Sequence, residues 1–222
     1  DNLLLHLSVV VMVFIFLTKL GFSRLISLTA SAIFALHPSR VESVAWITER
    51  KDVLYAALYL LSLLAYMKYI VSARMKPNLL YLMAAVMLGV LSILAKPMAV
   101  SLPLIFLLLD WYTGRGLNKR TILEKVPVFI IMVGICVWGT YSQHVRLPIA
   151  ENANPVLVWL WTFAFYIRQF VLPLMNAPMY QLPEPVSLVN SEYTIALCIF
   201  AAAALSCFVW RKNRPFIFAF LF

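Results

Sequence analysis

The chain has 222 residues, of which 64% are apolar and only 12% charged, with a mean hydropathy of +0.91. A soluble domain is nearer half apolar and a quarter charged, so the composition excludes a soluble globular enzyme. It points to an all-α, polytopic transmembrane helical bundle, because the repeated apolar runs leave no polar faces to cover ordinary core helices.

The first run spans Leu3 to Leu17 and stops at Thr18-Lys19-Leu20-Gly21, a helix C-terminal signal. Arg24 follows, then a run from Leu25 to Leu36 that covers only about 20 Å. To cross a membrane it must take in Phe22 and Ser23 or continue towards Trp46. The most highly charged stretch comes next, His37 to Asp52. A long run, Val53 to Val71, ends in the basic turn Arg74-Met75-Lys76-Pro77. The run Leu79 to Ala95 is broken by Lys96-Pro97, and the next closes on Asp110-Trp111-Tyr112. A polar basic loop leads into Ile122 to Tyr141. The stretch Pro155 to Leu174 differs: it is aromatic, carries Arg168, and runs into a proline-rich segment. Tyr193 to Trp210 is the last full run, and another starts at Phe216.

Lys and Arg set orientation. With the first run leading inwards, twelve of the eighteen basic residues fall inside with two acids, and six fall outside with seven acids. The net charge of +9 is therefore a positive-inside signal and calls for no nucleic acid. The same reckoning disfavours a full crossing by Pro155 to Leu174. Its Trp-rich start suits headgroup level, and residues 155–190 are expected to form a re-entrant or interfacial outer segment. The expected topology is seven complete crossings plus the start of an eighth, within a single transmembrane domain of residues 1–222. Cys136, Cys198 and Cys207 lack zinc-ligand spacing and read as packing residues. The chain opens on Asp1 and stops within an apolar run, so an internal portion of a longer protein is expected.

Charge is costly in such a chain, which makes His37 to Asp52 the first suspect for chemistry. Pro38 fits a helix start. On a helix from Ser39, Glu42 and Glu49 lie about 20° from alignment and roughly 10 Å apart along the axis, with Trp46 between them. Residues 37–52 then form an amphipathic segment on the outer surface. Two acids flanking an aromatic ring suit a sugar, and Arg40, Arg50 and Lys51 suit a phosphate. The competing reading is a solvated loop whose charges mark the interface, with Glu49 to Asp52 pairing among themselves.

The motif His37-Pro38-x-x-Val41-Glu42-Ser43-Val44-Ala45-Trp46, followed by Glu49-Arg50-Lys51-Asp52-Val53-Leu54, resembles bacterial relatives of the transmembrane-and-TPR O-mannosyltransferases, which have the GT-C glycosyltransferase fold. Leu94-Ala95-Lys96-Pro97-Met98 with Leu107-Leu108-Leu109-Asp110-Trp111-Tyr112 resembles that family's next block. Tyr166-Ile167-Arg168-Gln169-Phe170 resembles its outer-face helix. The resemblance implies sugar transfer from a polyprenyl-phosphate donor to a protein or glycan acceptor, outside a bacterial cytoplasmic membrane. It implies catalytic roles for Glu42 and His37, and substrate-binding roles for Arg40, Trp46, Glu49, Arg50, Lys96 and Arg168. For Lys96 the alternative is a lysine snorkelling to the interface; for His37, a backbone-bonded helix end. Asp110 reads as structural. No cofactor or metal cluster is evident, and a divalent metal would need ligands from outside this chain. The acidic first outer loop of the family lies before the matched region, so a non-catalytic accessory subunit, partnered by other membrane subunits, is the alternative function. A transporter would call for broken helices and repeated halves, and Lys96-Pro97 is the only break.

Overall fold

The computed structural model describes residues 1–73, 76–142, 154–173 and 180–222. Arg74 and Met75 of the basic turn, and Leu174 at the end of the aromatic stretch, lie outside the described residues. Every regular element among them is helical: eleven α-helices and three short 3-10 helices. The chain divides into two units, Asp1–His144 with Phe222, and Val145–Leu221.

In the first unit, α1 (Asn2–Lys19) ends where the sequence signals. Gly21 takes φ +96°, its N–H reaches the Thr18 carbonyl, and the Phe22 N–H reaches Leu17. This is a Schellman closure, which requires the left-handed conformation that glycine supplies. Helix α2 (Arg24–Leu36) is capped by Ser23, whose hydroxyl accepts from the Ile26 N–H at 3.3 Å. It ends at an extended His37 ahead of Pro38. Neither extension considered for this short run occurs, because the cap and the proline close both ends.

The stretch 37–52 is not one helix. It forms a 3-10 turn (Pro38–Arg40), a short α3 (Val41–Ala45), a second 3-10 turn (Ile47–Glu49) and then α4 (Arg50–Ala73). Trp46 is extended at ψ 121°, and its carbonyl accepts from the Asn2 side-chain amide at 3.0 Å. Asn2 Oδ1 in turn accepts from Arg50 Nε at 3.2 Å. The same carbonyl also accepts from the Glu49 N–H at 3.2 Å, which closes the second 3-10 turn; with the stretch broken into turns, the predicted common face of Glu42 and Glu49 is lost.

Helix α4 packs against α1, α5 (Leu79–Ala95) and α6 (Leu102–Tyr112). The buried face of α5 is Ala85, Gly89, Ser92 and Ile93. Small residues let helix backbones approach closely, and here two hydroxyls bridge the gap. Ser62 donates to the Ala85 carbonyl at 2.6 Å, and Ser92 to that of Tyr55 at 3.1 Å. Asn78 caps the start of α5, and Lys96 ends it in extended conformation before the 3-10 turn Pro97–Ser101. The run from Ile122 splits into α7 (Lys119–Leu123) and α8 (Val126–Ser142), with Glu124 and Lys125 in the turn between them.

In the second unit, α9 (Pro155–Val171) starts with Asn154 as cap and Pro155 in its first turn, and α10 (Ser191–Val209) starts with Asn190 as cap. They join through Leu160, Ala164 and Ala196, with Trp159 edge-on to Phe200 at 5.3 Å. The short α11 (Arg214–Leu221) follows.

Among the described residues, four helical stretches are long and apolar enough to cross a membrane: Asn2–Lys19, Ile47–Ala73, Thr121–Gly139 and Ser191–Val209. Four more apolar helices, Arg24–Leu36, Leu79–Ala95, Pro97–Tyr112 and Pro155–Val171, are shorter. The chain is a multi-pass helical membrane protein; its described residues hold four candidate spans, and the seven complete crossings expected from the runs are not shown.

Candidate functional site

Polar side chains gather at two places in the first unit, at opposite ends of α4. At its N-terminal end a cleft of about 180 Å³ opens between α1, α2, α3, α4 and the 3-10 turn after Lys96. Asp52, in the first turn of α4, holds the Lys96 ammonium with both carboxylate oxygens at 2.7 Å. Arg40 lines the same cleft, its guanidinium 4.9 Å over the Phe34 ring. The residue as a whole is exposed, yet burial of the guanidinium pulls its pKa below the ordinary arginine value, against the pull of Asp52. His6 is buried, stacked on Phe34 at 5.6 Å, with Nε2 3.3 Å from the Ala35 carbonyl. Tyr55 and Ser43 complete the polar lining.

The cleft brings together Arg40 and Lys96 of the residues singled out in the sequence. It does not gather the others. Glu42 is exposed and off the lining, and its carboxylate has no hydrogen bond or ion pair among the described residues. The His37 ring accepts at Nδ1 from the Ser39 N–H at 3.3 Å and lies 2.7 Å from its hydroxyl, so His37 caps the turn at Pro38. Trp46 is half exposed. Glu49 pairs with Lys51 at 3.3 Å, and Arg50 is engaged by Asn2. Arg168, in the second unit, lies 5.6 Å over the Phe165 ring. Sequence reasoning missed His6 and left Asp52 among mutually paired charges. Asn2 and His6, four residues apart and hence on one face of a helix, were the available signal in an otherwise apolar run.

The second gathering is fuller. Asp110, with no exposed side-chain surface, accepts from the Tyr66 hydroxyl at 2.7 Å, pairs with Lys125 at 2.8 Å and with Arg115 at 3.3 Å. Arg115 also bonds both oxygens of Glu124, at 2.9 and 3.2 Å. Lys125 sits 5.1 Å over the Tyr66 ring and Arg115 5.0 Å over Tyr69. Burial opposes the Arg115 charge, but the hydrogen bond to Glu124 and the fields of Asp110 and Glu124 outweigh it. They hold the guanidinium above its ordinary value. Two acids neutralise two bases here, and each is engaged by the others. This is a closed structural network, in keeping with the reading of Asp110, and it leaves the cleft as the candidate ligand site. Among the described residues no group of three His, Cys, Asp or Glu gathers that would hold a metal ion.

No protein-family model matches the sequence, and no solved structure matches it. The chain is similar to Protein O-mannosyl-transferase Tmtc2 of Drosophila melanogaster, 26% identical over 197 residues that cover 78% of this chain. It is also similar to Protein O-mannosyl-transferase Tmtc1 of the same organism, 31% identical over 100 residues, or 45% of this chain. The matched regions are 20% of Tmtc2 and 11% of Tmtc1. The chain thus spans only a minor part of the length of these relatives, and most of it carries a distant similarity to the TMTC protein O-mannosyl-transferases.

Proposed function

We propose that this chain forms the donor-binding part of a GT-C-type membrane glycosyltransferase. The enzyme transfers a sugar from a polyprenyl-phosphate carrier to a protein or glycan acceptor on the outer face of a bacterial cytoplasmic membrane. The observation that carries the reading is the convergence of Arg40 and Lys96, from two distant parts of the sequence, on one cleft at the ends of apolar helices. The distant similarity to two proteins named as O-mannosyl-transferases supports the reaction class. The motif around His37 supports the bacterial setting, and the Lys and Arg distribution supports the outer placement.

In an inverting transfer, an acceptor oxygen attacks the anomeric carbon, the bond from that carbon to the phosphate oxygen breaks, and the acceptor proton passes to a base. The leaving polyprenyl phosphate gains negative charge, which fixed cations stabilise. Arg40 and Lys96 take that part; for Arg168, in the second unit, a phosphate-binding role rests on the family resemblance of its own helix alone. Glu42, its side chain exposed and unengaged among the described residues, is the carboxylate available to an acceptor, and the resemblance gives His37 a part in the same step. Trp46 offers a half-exposed ring to a sugar face, and Glu49 and Arg50 border it.

The test uses the full-length protein in membranes. Glu42→Gln and Arg168→Ala are each expected to abolish sugar transfer while expression stays intact. Normal transfer by both variants overturns the site assignment. Two observations favour a second, non-catalytic reading: Glu42 lies off the cleft and Lys96 is already paired. An accessory subunit of this kind would keep transfer in its complex through both substitutions and lose complex assembly when the cleft is altered.

A further inference from the structure

The cleft holds a carboxylate among its cations, and that arrangement suggests how the site is used. This inference rests on the glycosyltransferase reading. We propose that Asp52 is a positioning residue. It holds the Lys96 ammonium ready for the phosphate of a lipid-linked donor, and the pair works in one direction only, with the acid on α4 and the cation at the turn.

The backbone of Lys96 is fixed, since it ends α5 in extended conformation and Pro97 follows. Its four-carbon side chain is not fixed, and carries roughly 2 kcal/mol of rotamer entropy. Two contacts of 2.7 Å from Asp52 restrain it. An ammonium has three N–H donors. Asp52 occupies two, and the third has no partner among the described residues. Arg40 stands on the same lining and feels the Asp52 charge, so the two cations against one acid leave one positive charge for an anion. The cleft, at about 180 Å³, is large enough to admit a phosphate group. The pair is a poor stabilising device, because both side chains remain about a quarter exposed, at 29% and 24%, and ion pairs in contact with water contribute little. What the geometry supplies is orientation.

The experiment measures sugar transfer by the full-length protein in lipid vesicles. Binding of polyprenyl monophosphate is followed in parallel by its effect on the melting temperature. Asp52→Asn is expected to raise KM for the lipid-linked donor about ten- to a hundredfold, the scale of a lost charge-assisted hydrogen bond. kcat and the melting temperature without ligand should change little. Asp52→Glu restores part of the affinity. The exchanged pair, Asp52→Lys with Lys96→Asp, keeps the ion pair and the melting temperature but does not recover donor affinity. Wild-type KM in Asp52→Asn, or full recovery in the exchanged pair, overturns the proposal and leaves the glycosyltransferase reading standing. Absence of both transfer and polyprenyl-phosphate binding in the wild type removes that reading, and this inference falls with it.

Discussion

At Asp110, three donors converge on two carboxylate oxygens with no solvent contact. Removing one partner of a buried ion pair leaves the other charge uncompensated, and typically costs about 3–5 kcal/mol. Asp110→Ala is therefore expected to destabilise the protein by roughly that amount, because Lys125 is almost fully buried. Its melting temperature in detergent should fall sharply. Replacing the pair together, with Asp110→Leu and Lys125→Met, should lose less, since no lone charge remains. Arg115 behaves differently with pH. Its pKa lies above the ordinary arginine value, so the stability it carries is fully present below that ordinary value and is lost only as pH rises through the higher folded value. The melting temperature should thus show no loss from Arg115 between pH 7 and 10, whereas Arg115→Lys brings the alkaline loss to lower pH, because lysine gives up its proton more readily than arginine.

At the scale of elements, the small-residue face of α5 sets how closely its neighbours approach. A Cβ on Gly89 would lie 2.7 Å from the Met132 side-chain end and 3.0 Å from that of Leu102. Gly89→Leu is expected to cost about 1–3 kcal/mol by overpacking, read as a lower melting temperature, while Gly89→Ala costs less because both neighbours are flexible chain ends. The elements most legible in the sequence are those closed by local signals. The bounds of α5 match the run Leu79 to Ala95, with Asn78 before it and Pro97 after, and the end of α1 was readable in Gly21. The elements that were not legible are shaped by distant partners. Helical periodicity cannot reveal that Asn2 will bond the Trp46 carbonyl, nor that Glu124 and Lys125 will leave a helix to join Asp110. The cleft was half legible for the same reason: its cations stood out in apolar surroundings, but the pairing of Asp52 with Lys96 spans 44 residues. Asn2→Ala removes two hydrogen bonds, each contributing about 1 kcal/mol, and should raise proteolytic cleavage within residues 37–49.

For the molecule as a whole, the proposed orientation places residues 37–52 outside and the loop after Tyr112 inside. In a variant lacking Cys136, Cys198 and Cys207, a membrane-impermeant maleimide should label Ser39→Cys in intact cells. It should label Leu117→Cys, an exposed loop position, only after permeabilisation. Labelling of Met98→Cys in intact cells would show that α5, at 17 residues, crosses despite its modest length. Inaccessibility of Ser39→Cys from outside would reverse the proposed orientation and move the cleft to the other face.

Helix α4 presents Asp52 to the cleft and, some 14 residues on, Tyr66 to the buried network, about 21 Å along the axis. Both anchors belong to one rigid rod, so its phase is fixed twice. Inserting a single residue between them would turn one end by about 100° against the other, and only one of the two anchorages would then engage. An insertion of four residues comes close to a full turn but lengthens the rod by about 6 Å. The helix therefore acts as a gauge between the two polar clusters. Substitutions along its lipid-facing side should be tolerated, and any change in its length should not.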